Sequence, residues 1–128
     1  MSLANAPVCA VLPAEDIERA KKFWTGKIGL SIEKQMPGTG DVLFSAGKGT
    51  KIYMYQRART KAEHTVAEFE VENLEETMKE LRVKGVKFED YDFPGLKTVN
   101  GVAEYDGGKA AWFIDTEGNI VSIGEWKK

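Results

Sequence analysis

The clearest candidate for chemistry in this chain is Glu68, a carboxylate in a segment of alternating polar and apolar residues. The segment HTVAEFEV places Glu68 between Ala67 and Phe69 and begins at His64, the single histidine of the chain. A carboxylate on an apolar surface could act as a general base or bind a cationic ligand. The alternative is a solvated strand carboxylate near the rim of a site, paired with Lys51.

Two tyrosines and a cysteine are the next candidates. Tyr53 and Tyr55 alternate with Ile52 and Met54, so both tyrosines lie on one side of a strand and could stack on a planar ligand. Packing against neighbouring strands is the alternative, because sheets favour aromatic residues anyway. Cys9 could be a nucleophile only with a base and a lowered pKa, and a small buried thiol is the simpler interpretation.

Two amphipathic helices must support these strands. Asp16 and Asn73 are suitable N-caps for them, because a short polar side chain can accept a hydrogen bond from a free N–H of the first turn. Apolar residues at helical spacing predict the buried stripe of each helix: Ile17, Ala20 and Trp24 in the first, and Leu74, Met78 and Leu81 in the second.

Alternating apolar residues predict the strands. In the first half these are the segments VCAVLP, IGLSIEKQ, DVLFSAG and TKIYMYQ, and in the second half HTVAEFEV, VKFEDY and a hairpin that turns at TEGN. Residues 92–108 are rich in Gly and Pro and predict a long loop, of the kind that often covers a functional site, with a short strand within it as an alternative. Trp112 and Phe113 point to opposite faces of one strand, so one of them belongs to the core.

The same order of elements, strand, helix and three strands, occurs twice, in residues 1–60 and 61–128. One such unit cannot bury both faces of its sheet alone. We therefore predict a single α+β domain over residues 1–128, in which two βαβββ repeats form a curved mixed sheet around a central cleft, with the helices on the outer face.

Composition excludes several classes of function. The chain has 128 residues, 42% of them hydrophobic, with a formal net charge of −2. Scattered basic residues and a slight negative charge argue against nucleic acid and against a membrane surface as partners. A single cysteine forbids an internal disulfide and fits the reducing cytoplasm. The N-terminal segment does not resemble a secretion signal.

Two segments resemble a known family. AVLPAEDIERAKKFWTGKIGL is similar to the opening of the vicinal oxygen chelate superfamily, and AAWFIDTEGNIVSI is similar to its closing hairpin. This superfamily includes glyoxalase I, extradiol dioxygenases, fosfomycin-modifying transferases and bleomycin-binding resistance proteins. The resemblance implies the fold of this superfamily, with two βαβββ repeats around a cleft, and a homodimer. Proteins with this fold have many different activities.

The resemblance also implies where a catalytic metal would be bound. The four ligand positions of metal-dependent members fall on Cys9, Tyr53, Val66 and Ser122. Valine cannot ligate, and hydroxyls and one thiol are poor ligands for a divalent metal that prefers imidazole or carboxylate. We therefore expect no metal and no cofactor. A register shift of two residues would instead make His64 a ligand, although a partly exposed histidine at the start of a strand is the simpler interpretation.

Without a metal, strand alternation predicts an apolar, aromatic trough suited to a small molecule. Its predicted lining is Cys9, Val11, Tyr53, Tyr55, Val66, Glu68, Trp112 and Ser122. The sequence favours a metal-independent protein that binds a small apolar or aromatic molecule in the cleft. The alternatives are a metal-dependent lyase or dioxygenase whose ligands are displaced, and a metal-free enzyme that uses Glu68 as its base.

Overall fold

The computed structural model describes residues 2–61 and 63–127. The chain divides into two compact units, Met1–Arg59 and Thr60–Lys128. Each unit contains one α-helix and one four-stranded mixed sheet. The predicted α+β class is therefore confirmed. No helix among the described residues is long and apolar enough to cross a membrane.

Unit 1 follows the predicted order of strand, helix and three strands. The elements are β1 (Ala10–Ala14), α1 (Ile17–Gly26), β2 (Ser31–Gln35), β3 (Val42–Ser45) and β4 (Lys51–Gln56). The strands lie in the order β1-β4-β3-β2. β1 pairs with β4 in parallel, which the α1 crossover allows, and the other two pairs are antiparallel.

The core of unit 1 forms between α1 and one face of its sheet. Trp24 on α1 is fully buried, as are Leu12, Phe44 and Met54 on three neighbouring strands. The rings of Trp24 and Phe44 lie 6.4 Å apart. Burial of each such side chain contributes about 1.5–3 kcal/mol. The helix begins after Asp16, whose side chain accepts a hydrogen bond from the backbone N–H of Arg19.

Unit 2 repeats this plan with a longer connection between its helix and its last three strands. The elements are β5 (Thr65–Glu70), α2 (Leu74–Val83), β6 (Asp92–Phe93), β7 (Leu96–Lys97), β8 (Val102–Tyr105), β9 (Gly108–Ile114) and β10 (Ile120–Trp126). The sheet order is β5-β10-β9-β8, with β5 and β10 parallel. A separate two-stranded hairpin pairs β6 with β7.

One predicted strand of unit 2 is wrong. The segment VKFEDY forms a single bridge, Phe88 with Phe113, and the edge strand is β8, from within the predicted loop. Phe88 still packs in the core, edge-on to Phe113 at 6.1 Å. The chain leaves the sheet after it because the Asp90 carboxylate accepts hydrogen bonds from the Thr98 hydroxyl and the Gly101 N–H. These bonds fold residues 90–101 back on themselves.

A closed turn sets the register of the β9–β10 hairpin. The Asp115 carboxylate accepts hydrogen bonds from the backbone N–H groups of Glu117 and Asn119, at 2.9 and 2.8 Å. The side-chain amide of Asn119 donates to the second carboxylate oxygen at 2.9 Å. Gly118 has φ 87, a left-handed conformation that suits glycine. The turn places Ser122 directly opposite Trp112.

Substitution Asp115→Ala is expected to lower the free energy of unfolding by about 2 kcal/mol or more, because buried N–H groups lose their acceptor. Chemical denaturation of the wild type and the variant measures this difference. The control is Asp106→Ala, in the turn between β8 and β9, where the side chain is exposed. Equal losses in the two variants would contradict the role assigned to Asp115.

Candidate functional site

Each sheet has one face against its own helix and an opposite face, which we call the open face of that unit. In unit 2, Ala111 and Phe113 are buried, and Lys109 forms an ion pair with Glu75 on α2 at 2.7 Å. The alternating residues of β9 therefore lie on the open face, and these include Trp112. In unit 1 the same alternation places Tyr53 on the open face, together with its paired residues Val11 and Leu43.

Several predicted site residues lie on the open face of unit 1. Val11 on β1 pairs with Tyr53 on β4, which in turn pairs with Leu43 on β3. Val11 is 57% exposed, a high value for a strand valine. Tyr55 is half-buried one step along β4. Cys9 is exposed and precedes the first residue of β1, so the expectation of a small buried thiol is wrong.

Tyr53 has a specific polar partner. Its hydroxyl donates a hydrogen bond to Oδ2 of Asp41 at 2.6 Å. This bond to a carboxylate, together with partial burial, raises the pKa of Tyr53 above its ordinary value of 10.0. The phenol is therefore a neutral hydrogen-bond donor at physiological pH, already engaged with Asp41.

Lys51 has a carboxylate partner within its own unit. Its ammonium group pairs with Glu33, which also accepts a hydrogen bond from the Ser45 hydroxyl at 2.9 Å. The bond from Lys51, and then that from Ser45, lower the pKa of Glu33 below its ordinary value. All three residues belong to unit 1, so the pair that the structure gives to Lys51 is with Glu33, and the pairing of Lys51 with Glu68 stays a prediction.

Glu68 lies in a polar row on the open face of unit 2. Ser122 at the centre of β10 pairs with Glu68 on β5 and with Trp112 on β9. The Ser122 hydroxyl is buried and donates to Oε1 of Glu68 at 2.8 Å. The indole N–H of Trp126 donates to Oε2 at 3.0 Å. Both oxygens of this exposed carboxylate are therefore oriented by named donors.

Trp126 is a site residue that the sequence reasoning did not assign to the trough. The alternation of side chains in the sequence could have identified it, because every second residue of β10 lies on one face, and these include Ser122, Gly124 and Trp126. The Trp126 ring folds back over Gly124 and lies 6.1 Å from the ring of Tyr105. Tyr105 itself is 43% exposed.

An aromatic cluster forms around Trp112. Its ring meets Tyr91 edge-on at 5.8 Å, and Tyr91 lies 5.7 Å from Phe93. The Trp112 N–H donates to the Thr65 hydroxyl at 3.0 Å. Thr65 reaches this face because β5 has a bulge at Val66, between the pairs that β10 makes with residues 65 and 67.

The segment that carries Tyr91 is held by a carboxylate. The Thr98 hydroxyl donates to Asp90 at 2.7 Å and accepts from the Tyr91 N–H at 2.7 Å. The bonds from Thr98 and from the Gly101 N–H lower the pKa of Asp90 below its ordinary value of 3.8. Burial, and then the nearby charge of Glu89, raise the pKa of Tyr91. Tyr91 is thus a neutral aromatic side chain beside Trp112.

A family model decides the family of this chain. Residues 7–123 match the model described as Glyoxalase/Bleomycin resistance protein/Dioxygenase superfamily. The chain belongs to this superfamily. The match includes every strand except the end of β10, and it confirms the family that the opening and closing motifs indicate. A search of curated proteins found no match.

Solved structures of other proteins share the fold of this chain. UcmS2 has a TM-score of 0.72 at 19% identity, over 92% of this chain and 96% of that chain. TnmS3, an antibiotic binding protein from Streptomyces sp. CB03234, has a TM-score of 0.72 at 18% identity, over 96% and 98%. FosX, a fosfomycin resistance protein from Listeria monocytogenes, has a TM-score of 0.72 at 11% identity, over 94% and 93%. At these identities the similarity establishes the fold alone.

The residues at the four positions to which the family resemblance assigns metal ligands are poor donors for a divalent metal. Val66 has no donor atom, and Cys9 offers one exposed thiol. The hydroxyls of Tyr53 and Ser122 each donate a hydrogen bond to a carboxylate. Among residues 2–61 and 63–127, no group of three or more His, Cys, Asp or Glu side chains could hold a metal ion.

Substitution Asp41→Asn is expected to lower the pKa of Tyr53 towards its ordinary value, because the carboxylate no longer favours the protonated phenol. The raised pKa means that this bond stabilises the folded protein below pH 10, and that the contribution is lost as the pH rises through the folded value. Ultraviolet titration of tyrosinate measures the shift, with Tyr53→Phe identifying the transition. Superimposable curves for wild type and Asp41→Asn would contradict the assignment.

Proposed function

We propose that this chain is a metal-independent member of the superfamily that binds a small apolar or aromatic molecule through its open faces. The observation that carries the proposal is the state of Ser122. The family resemblance assigns a metal ligand to its position, yet its hydroxyl is buried and donates a hydrogen bond to Glu68. A serine hydroxyl and an indole N–H orient the Glu68 carboxylate. This arrangement suits recognition of a hydrogen-bond donor rather than coordination of a divalent metal ion.

The aromatic cluster around Trp112 supports the choice of ligand. Trp112 and Tyr91 are half-buried, and Phe93 is 53% exposed. Exposed aromatic faces with a few fixed polar groups are typical of small-molecule sites. The residues that we propose as ligand contacts are Cys9, Val11, Tyr53, Tyr55, Val66, Glu68, Trp112 and Ser122, with Tyr91 and Trp126 added from the structure.

Similar proteins differ in the chemistry that they support. TnmS3 is described as an antibiotic binding protein, which is the kind of function proposed here. A mutant of FosX was crystallised with Mn(II) and a dihydroxypropylphosphonic acid, which represents the metal-dependent alternative. The donor set of this chain favours the first. We further propose that the protein acts in the cytoplasm as a homodimer, as the single cysteine and the family resemblance indicate.

Catalysis by Glu68 is the second candidate. Its carboxylate is exposed, and two donors orient it, which suits a general base as well as a binding group. The chain would then be a metal-free isomerase or lyase of the superfamily. The substitution Glu68→Gln separates these roles on any substrate that is found, because a general base loses turnover while a hydrogen-bond acceptor loses mainly affinity.

Elemental analysis tests metal independence. Protein purified without chelator, then incubated with Zn²⁺, Ni²⁺, Mn²⁺ or Fe²⁺ and dialysed, is expected to retain far less than one ion per chain. The reason is that the four positions offer no imidazole and no carboxylate. Retention of one ion per chain would overturn the proposal and restore the lyase or dioxygenase hypothesis. His64, Glu68 and Glu70 would then be the first residues to substitute.

Quenching of tryptophan fluorescence by a panel of planar aromatic antibiotics tests ligand binding. Substitution Trp112→Ala is expected to weaken binding by about tenfold, since one aromatic pair contributes roughly 0.5–1.5 kcal/mol beyond its buried area. Trp112→Phe keeps an aromatic ring and serves as the matched control. Equal affinity of wild type and Trp112→Ala for every compound that binds would contradict a role for this face.

A further inference from the structure

We propose that the indole of Trp126 occupies a subsite on the open face of unit 2 that accepts a flat ring with an N–H donor. A bound ligand would place such a ring there and turn Trp126 out of it. This inference rests on the proposed function and specifies the chemistry of its ligand. The free protein already shows how the subsite recognises such a ring, because its own side chain is in place.

The floor of the subsite admits a ring because none of its side chains is larger than a methyl group. Gly124 on β10 pairs with Ala110 on β9, which pairs with Ala103 on β8, and all three are buried. A Cβ atom added at Gly124 would lie 2.8 Å from Cε2 of Trp126 and 3.1 Å from the Glu68 carboxyl carbon. Any side chain at this position would therefore displace the ring.

The acceptor of the subsite is the Glu68 carboxylate. The buried Ser122 hydroxyl holds Oε1, and Oε2 accepts the indole N–H at 3.0 Å. A carboxylate accepts more strongly from a charged donor than from a neutral one. The subsite should therefore accept a neutral heteroaromatic N–H, as in indole, and bind an aryl amine or amidine in its protonated form more tightly.

Aromatic side chains border the subsite. Tyr105 lies 6.1 Å from Trp126 with its ring tilted by 32°, within the usual range for aromatic pairs. Trp112 lies in the next row of the sheet, opposite Ser122. A ligand of two or three fused rings could therefore replace the Trp126 ring and extend toward Trp112.

Trp126 is able to leave the subsite without loss of the sheet. It is the last residue of β10 and only half-buried, whereas Trp24 in the core of unit 1 is 0% exposed. Its backbone is held separately, by pairing with Gly108 and by the Lys127 N–H bond to the Gly107 carbonyl at 2.7 Å. Rotation of the side chain breaks one hydrogen bond at the surface, to Glu68.

The test uses free indole as the probe and Trp126→Ala as the receptor. Indole is expected to bind this variant at least tenfold more tightly than it binds wild type, because the subsite is vacated. Benzofuran has the same shape without the N–H, and we expect its binding to the variant to be weaker by about tenfold or more. Binding is measured by isothermal titration or by chemical shifts in protein NMR.

Two further variants assign the acceptor. Adding Glu68→Ala to Trp126→Ala is expected to remove the preference for indole over benzofuran. Adding Glu76→Ala instead should leave it unchanged, because Glu76 is an exposed carboxylate on α2, which packs against the opposite face of the sheet. Equal affinity of Trp126→Ala for indole and benzofuran, or no binding of either, would overturn the proposal.

A measurement on wild type covers the case in which Trp126→Ala does not fold. Protein labelled with 5-fluorotryptophan gives a fluorine signal for Trp126, assigned with Trp126→Phe. Tryptamine at millimolar concentration is expected to move this signal towards its value in unfolded protein. Tryptamine binding with an unchanged Trp126 signal would overturn the proposal.

The outcomes separate this subsite from the proposed function. If indole fails to bind while antibiotic binding still depends on Trp112, only the subsite is wrong. If a metal ion is retained at one per chain, the proposed function fails, whatever the indole titration shows.

Discussion

The central position of β10 is the constraint on which the candidate site depends. This strand is hydrogen-bonded on both edges, to β5 in parallel and to β9 in antiparallel register. Its Val121 and Ile123 are buried. Because side chains alternate along a strand, Ser122, Gly124 and Trp126 must then occupy the opposite face. A shift of one residue would exchange the two sets, so burial of the core also determines what the site can contain.

The Asp115 turn and the Glu68 network are two consequences of that register. The turn fixes which residues of β9 and β10 are opposite each other, and thereby places Trp112 beside Ser122. Ser122 in turn reaches Glu68 across the parallel pair. An exposed carboxylate is oriented in this way, and its second oxygen accepts the indole N–H of Trp126. The site is therefore built from backbone pairing first and from side-chain chemistry second.

Members of this superfamily share a fold and differ in the residues that the fold presents. The chain has no imidazole or carboxylate at the four positions to which the family resemblance assigns metal ligands. At two of them, Tyr53 and Ser122, a hydroxyl is bonded to a neighbouring carboxylate. The fold thus accommodates different chemistry at the same positions, which is why membership of the family does not specify an activity.

The sequence by itself determined the α+β class, both helices with their caps, and the faces of most strands. The strand residues that alternation assigns to the core, such as Leu12, Met54 and Ile123, are buried. The helix caps Asp16 and Asn73 could be predicted because capping acts within one helical turn. The predicted lining of the trough follows from the same alternation.

Only the tertiary structure decided which polar groups meet. The partner of Lys51 is Glu33, the partners of Glu68 are Ser122 and Trp126, and the edge strand is β8 rather than the segment around Phe88. The bulge at Val66, which brings Thr65 to Trp112, was equally invisible in the sequence. The physical reason is distance along the chain. Alternation and capping act between near neighbours, whereas these contacts join residues up to 58 positions apart and depend on strand order and register.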